Sequence, residues 1–207
     1  GAIHVDGEGS CLTTEQCLLN RNRNPALTRA DIEQQLREYL GVDSVLWLGQ
    51  GVYQDETDGH VDNLACFLRP GVVALSWCDD RDDPQHAISA DALARLRGFR
   101  DARGRRLEVV KIPQPRHMPR MSAAEAAGLT PTAGSHPRPA GARLAASYVN
   151  FLLVNGALIL PAFDDDHDAR AAAILAEQFP TREIRQVPGR EILLGGGNIH
   201  CITQQIP

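Results

Sequence analysis

The sequence predicts an α/β fold built from a repeated unit of two strands, a helix and a third strand. Three features carry this reading: paired short apolar runs split by turn signals, a capped helical pattern after each pair, and one more apolar run closing each unit. The pattern occupies about residues 1–50, 51–113 and 144–188, and a closing strand is expected over 196–205. Units of this kind bury one another's faces, so residues 1–207 are read as one repeat domain.

In the first unit, extended segments at 3–5 and 10–13 flank the turn Asp6-Gly7-Glu8-Gly9. Thr28 is placed to cap a helix over 29–40 that sets Ile32, Leu36 and Leu40 on one face, with Gly41 as its stop and a strand over 44–48 after it. The second unit has strands at 63–68 and 72–77 around Arg69-Pro70-Gly71, a helix carrying Leu93 and Leu96 with Ser89 as its expected cap, and a strand at 107–112. The third has strands at 148–154 and 157–161 around the hairpin signal Asn155-Gly156. Its helix, over 167–179, presents Ala171, Ile174, Leu175 and Gln178, and a strand at 183–187 follows. A last extended stretch, 198–204, starts a unit that the chain does not complete, so its partner is expected elsewhere. Residues 113–143, rich in Pro, Ala, Gly and Arg, are read as an exposed insertion holding a short helix near 122–127.

Composition narrows the function classes. The chain has 207 residues, 43% hydrophobic and 23% charged, with a formal net charge of −5. That balance gives no overall attraction for nucleic acid or an acidic membrane, and it suits a small cationic ligand better. No apolar run approaches the ~20 residues that span a bilayer. The N-terminus lacks the layout of a signal peptide. Cys11, Cys17, Cys66, Cys78 and Cys201 contain no CxxC pair, so neither a zinc site nor a disulfide framework is suggested, and a reduced, cytoplasmic protein is expected. The chain opens Gly-Ala-Ile-His without an initiator methionine, which fits a processed chain, a cut chain or a fragment.

Three clusters could carry chemistry. Residues 55–63 hold four acids, His60 and a glycine ahead of an apolar strand; in an extended segment His60 and Asp62 share a face and point into one pocket, the alternative being a polar turn with a solvated acidic face. Residues 195–205 place Cys201 after three glycines, among Asn198, His200, Thr203 and Gln204. Gly196 and Gly197 allow a ligand to approach the backbone closely. The alternative for Cys201 is a buried structural thiol. Asp164-Asp165-Asp166-His167-Asp168 reads either as a metal cluster or as an acidic loop feeding a helix N-terminus. The pair His4 and Asp6 stays ambiguous beside a glycine turn.

Residues 55–63 and 195–205, with residues 3–9, 22–25 and 147–151, resemble the agmatine deiminase family, which includes bacterial-type peptidylarginine deiminases. The resemblance runs over nearly the whole chain and is most specific at 55–63 and 195–205. It implies a pentein-type α/β propeller of five ββαβ units, about three of them present here, with the others expected ahead of residue 1. In that family the segment beginning here follows a Glu-Gly-Gly motif whose last glycine would be Gly1. That Glu, and an Asp further upstream, would also hold the guanidinium. The resemblance therefore implies part of a site: Cys201 as nucleophile, His60 as acid and base, Asp62 as a guanidinium ligand, and Gly196 and Gly197 beside the substrate.

The implied reaction converts agmatine to N-carbamoylputrescine and ammonia through a covalent amidino-thioether, without metal or cofactor. A free thiol has a pKa of ~8.5 and is mostly un-ionised near neutrality. Carboxylates beside it would oppose ionisation, so the substrate's own positive charge is expected to help form the thiolate. Peptidyl or free arginine as substrate, an inactive fragment lacking the upstream carboxylates, and a metal-dependent hydrolase are the rival readings. Exposed apolar edges favour self-association, so a homo-oligomer is also an expectation.

Overall fold

The computed structural model describes residues 1–130 and 137–204. The first unit contains β1 (Ile3–Val5), β2 (Ser10–Thr14), the short α1 (Glu15–Leu18), α2 (Arg29–Leu40) and β3 (Ser44–Leu48). The second contains β4 (Ala65–Arg69), β5 (Val72–Trp77), α3 (Pro84–Gly98) and β6 (Glu108–Pro113). After the short α4 (Ala123–Ala127), the third has β7 (Leu152–Val154), β8 (Ala157–Ala162), α5 (His167–Gln178) and β9 (Glu183–Pro188), followed by α6 (Arg190–Leu193). Each unit forms a three-stranded mixed sheet: the first two strands pair antiparallel, and the third lies parallel to the second across the helix. The molecule is thus α/β with three small sheets.

Local chemistry explains the elements. Thr28 caps α2 in a reciprocal box with Asp31, and Gly41 ends the helix at φ +63°. The cap of α3 corrects an expectation. Asp83, not Ser89, starts that helix, accepting from the Gln85 amide ahead of Pro84. Ser89 sits inside α3, fully buried, with its hydroxyl donating to the Ser76 carbonyl.

The middle sheet is covered on both faces, and alternation along its strands divides two cores. Ala65, Phe67, Val73 and Leu75 join Leu12, Leu46 and Leu48 of the first sheet, while Cys66, Leu68, Val72 and Ala74 join Tyr148, Leu158 and Leu160 of the third. Helices bind neighbouring units together. α3 packs on β3 as well as on β5 and β6, and α5 packs on β6 as well as β9.

Two further expectations change. The closing strand over 196–205 is not formed by its described residues: Gly196 has φ +92°, and His200–Ile202 is a 3-10 turn closed by the Thr203 amide on the His200 carbonyl. Residue 205 lies outside the described residues. The insertion over 113–143 is only partly exposed. Met121 is buried with Leu144, Ala146 and Leu193. Arg143 grips both carboxylate oxygens of Asp83 at 2.7 and 2.8 Å. Residues 131–136 of the insertion lie outside the description. No helix among the described residues is long and apolar enough to cross a membrane.

The seat of α3 between two sheets is testable. Leu96→Ala should lower stability by about 2–5 kcal/mol in urea unfolding, whereas Leu40→Ala, at an exposed position, should cost under about 0.5 kcal/mol. Equal, small losses would mean that Leu96 is not packed in the shared core.

Candidate active site

The loop before β4 carries His60 and Asp62 and is built by its own acids. Asp55 is buried and accepts from the Thr57 amide at 3.1 Å and the Thr57 hydroxyl at 2.5 Å, while Thr57 Oγ1 accepts the His60 amide at 3.2 Å. This stretch is therefore an internal scaffold rather than a solvated acidic face. Gly51 and Gly59 press together so closely that a Cβ on Gly51 would stand 2.4 Å from the Gly59 Cα. The extended geometry expected for residues 60–62 is replaced by a 3-10 turn, Val61–Asn63, with His60 at its start. Both side chains still reach one cavity.

The second wall is the turn of Cys201. A Cβ on Gly197 would lie 2.6 Å from the Cys201 Cβ and 2.8 Å from its sulfur, so the space left by this glycine is filled by the cysteine itself. Gly196 lines the cavity beside it. A third element, the bend before β7, supplies Asn150. Its Oδ1 accepts the His200 and Cys201 amides at 3.0 and 3.3 Å, and its Nδ2 donates to the Cys201 sulfur at 3.1 Å. Cys201 is the one exposed cysteine of the five. Its sulfur is partly enclosed between Asn150 and Asp62, whose Oδ2 lies 3.4 Å away.

His60, Asp62, Gly196, Gly197 and Cys201 line a cavity of about 240 Å³, with Gly1, Thr57, Ile192, Gly195 and Ile202. Asp62 is buried, and its two oxygens differ. Oδ2 takes a 2.8 Å hydrogen bond from His200 Nδ1, while Oδ1 has no partner among the described residues. The buried His60 Nε2 is likewise unpartnered. A second cavity of about 90 Å³ meets the first at Asp62 and is lined by His4 and His200 among apolar side chains. His4, left ambiguous with Asp6 by the sequence, lies half-buried in β1, and its Nδ1 accepts from the Phe67 amide at 3.3 Å.

Electrostatics separate the players. Burial, then the Asp62 charge, push the Cys201 thiol up to about 11, against the smaller opposing pull of the Asn198 backbone and Asn150. Burial lowers His60 below the ordinary imidazole value, so it is neutral at pH 7. Burial would raise Asp62, but the hydrogen bond from His200 leads the opposing effects and holds it below the usual carboxylate range, so the carboxylate stays ionised. His4 is lowered to about 4 by burial and by His200. The arrangement at rest is a thiol, a neutral imidazole and a carboxylate with one free oxygen. Such a set can accept a planar cation and pass one proton from sulfur to nitrogen.

His200 and Asn150 were not singled out as site residues from the sequence. Asn150 does lie in the stretch 147–151 that carried the resemblance, and an Asn between Val149 and Phe151 at a strand's start was the available signal. The Asp164–Asp168 cluster takes its bland reading. Asp165 accepts the Arg116, His117 and His167 amides, and Asp168 accepts the Phe163 amide and the Tyr148 hydroxyl.

Comparison with known proteins shows the family of the chain. The family model of the Porphyromonas-type peptidyl-arginine deiminases matches residues 1–207. An agmatine deiminase of Pseudomonas aeruginosa is 58% identical over the whole chain, which covers 56% of that relative. An agmatine deiminase structure from Enterococcus faecalis superposes with a TM-score of 0.93 at 43% identity, over all of this chain and 56% of that one. A Porphyromonas gingivalis structure described as a candidate arginine deiminase gives 0.83 at 33% identity, again over all of this chain and 56% of that one. The chain thus spans about half the length of the relatives it matches. With its whole described length aligned and its sulfur, imidazole and carboxylate on one cavity, the chain belongs to the Porphyromonas-type peptidyl-arginine deiminase family.

Proposed function

We propose that this chain carries the nucleophilic part of an agmatine deiminase, hydrolysing a guanidinium to a urea and ammonia. The observation that carries the reading is the shared cavity of Cys201, His60 and Asp62, in which the free Asp62 Oδ1 is presented as an acceptor for a guanidinium N–H. Agmatine is favoured over arginyl substrates because named agmatine deiminases are the more similar relatives, at 58% and 43% identity against 33% for the Porphyromonas gingivalis protein. The three sheets with bridging helices also support the five-bladed propeller that the family resemblance implies.

In this reading the guanidinium binds Asp62 with its carbon above the sulfur, and the backbone at Gly196 leaves it room. Its charge stabilises the developing thiolate as the thiol proton passes to His60. The thiolate adds to the carbon, giving a neutral tetrahedral adduct. His60 returns the proton to one amino group, which leaves as ammonia, and a cationic amidino-thioether remains. Water, losing a proton to His60, adds to that carbon. The carbon–sulfur bond then breaks to a urea and the regenerated thiol, and the second proton accompanies ammonia as ammonium.

Cys201→Ala should abolish ammonia release from agmatine, and His60→Ala should cost roughly 100- to 10,000-fold in kcat. Asp62→Asn should raise KM about 10- to 100-fold, the worth of a charge-assisted hydrogen bond. Normal turnover by Cys201→Ala would remove the nucleophile assignment, and faster release from arginine or an arginyl peptide would replace the substrate.

Reagent charge gives a separate check. Because the thiol is pushed up to about 11, alkylation by neutral iodoacetamide should climb steadily as pH rises through the neutral range. A cationic haloacetamidine should label Cys201 much faster at pH 7 once both rates are normalised to free cysteine. An equal normalised rate for the two reagents would sink the idea that a bound cation activates the sulfur.

A further inference from the structure

We infer that Asn150 is a catalytic residue whose side-chain N–H stabilises the Cys201 thiolate and fixes the direction from which the sulfur approaches the substrate carbon. The catalytic consequence rests on the deiminase reading above; the hydrogen bond to sulfur does not.

The orientation of the amide is settled by its surroundings. One end faces the backbone N–H groups of His200 and Cys201, which can only donate, so that end is the oxygen. The other end faces the Asp62 backbone carbonyl at 3.4 Å, which can only accept, and the Cys201 sulfur at 3.1 Å. A flipped amide would set donors against donors and an oxygen against a carbonyl. Nδ2–H therefore points at the sulfur. Asn150 is fully buried and its bend is held by the Ser147 hydroxyl on the Val149 amide, so this donor is in place before any substrate arrives.

The role follows from what else meets the sulfur. Asp62 Oδ2, 3.4 Å away, repels a negative sulfur and accepts its proton's hydrogen bond while the thiol is neutral. The donor from Asn150 does the reverse: it gains strength as charge grows on the sulfur, since a hydrogen bond to an ion is about twice as strong as a neutral one. It therefore acts when the thiolate forms, and again when the thiolate leaves the adduct. Meanwhile Oδ1 anchors the amide of the same cysteine, so one side chain holds the nucleophile at both its backbone and its sulfur.

The test uses the protein as its gene encodes it and reads the sulfur directly. Asn150→Asp keeps an acceptor for the two backbone amides but removes the N–H donor. Iodoacetamide labelling of Cys201, mapped by mass spectrometry, should slow at least about tenfold at every pH below the thiol's midpoint, equal to one pH unit. The kcat for ammonia release should fall at least as much, with little change in KM. Asn150→Ala withdraws the donor without adding charge and must shift labelling the same way. It also serves as the deciding variant should the aspartate not fold. In either folded variant, labelling at the wild-type rate overturns the inference. Slowed labelling in the variants, beside a wild-type protein that proves inactive on agmatine, would support the donor and remove only the substrate reading.

Discussion

Asn150 carries no charge and is fully buried, yet the two walls of the site meet through it. The connection runs as a chain of hydrogen bonds between the starts of successive units. The Asp62 amide donates to the Gly1 carbonyl, Asn150 Nδ2 donates to the Asp62 carbonyl, and the His200 amide donates to both Asn150 oxygens. The turn of Cys201 is thereby hung from the third unit and aimed at the second. Buried polar groups must find partners, and here the partners are the backbones that carry the reactive side chains.

The electrostatic design divides labour within single residues. Asp62 spends Oδ2 on His200 and keeps Oδ1 for the cavity, so a buried carboxylate stays charged without being used up. Burial and, after it, the same charge keep the neighbouring thiol protonated at rest. In the proposed reaction, a cation arriving at Asp62 cancels that repulsion at the moment the nucleophile is needed.

Position is maintained from below by packing. Alternate residues of β4 and β5 enter two different cores, so the middle sheet cannot slip by one residue without turning both cores inside out. His60 and Asp62 lie just before β4 and inherit that register. Arg138 adds a tie across the rim, donating to the Leu194 carbonyl at 2.7 Å and pairing with Glu56 at 2.6 Å.

Much of this was legible in the sequence, because it depends on neighbours in the chain. Strand alternation, the Thr28 and Gly41 helix signals and the hairpin at Asn155-Gly156 act over a few residues, and the three sheets follow from them. Residue types offered the His60–Asp62 pair and Cys201 as separate candidates, the family resemblance implied that they act together, and the structure lines one cavity with all three. What local pattern missed was decided by partners far away in sequence. Ser89 looked like a cap but serves the Ser76 carbonyl inside the core, and the turn at His200–Ile202 looked extended until the Asn150 oxygen claimed its amides. His200 reached Asp62 across 138 positions, and Asn150 reached Cys201 across 51. Periodicity encodes which face of an element is apolar; which donor meets which acceptor is fixed only when the units pack and water is excluded from between them.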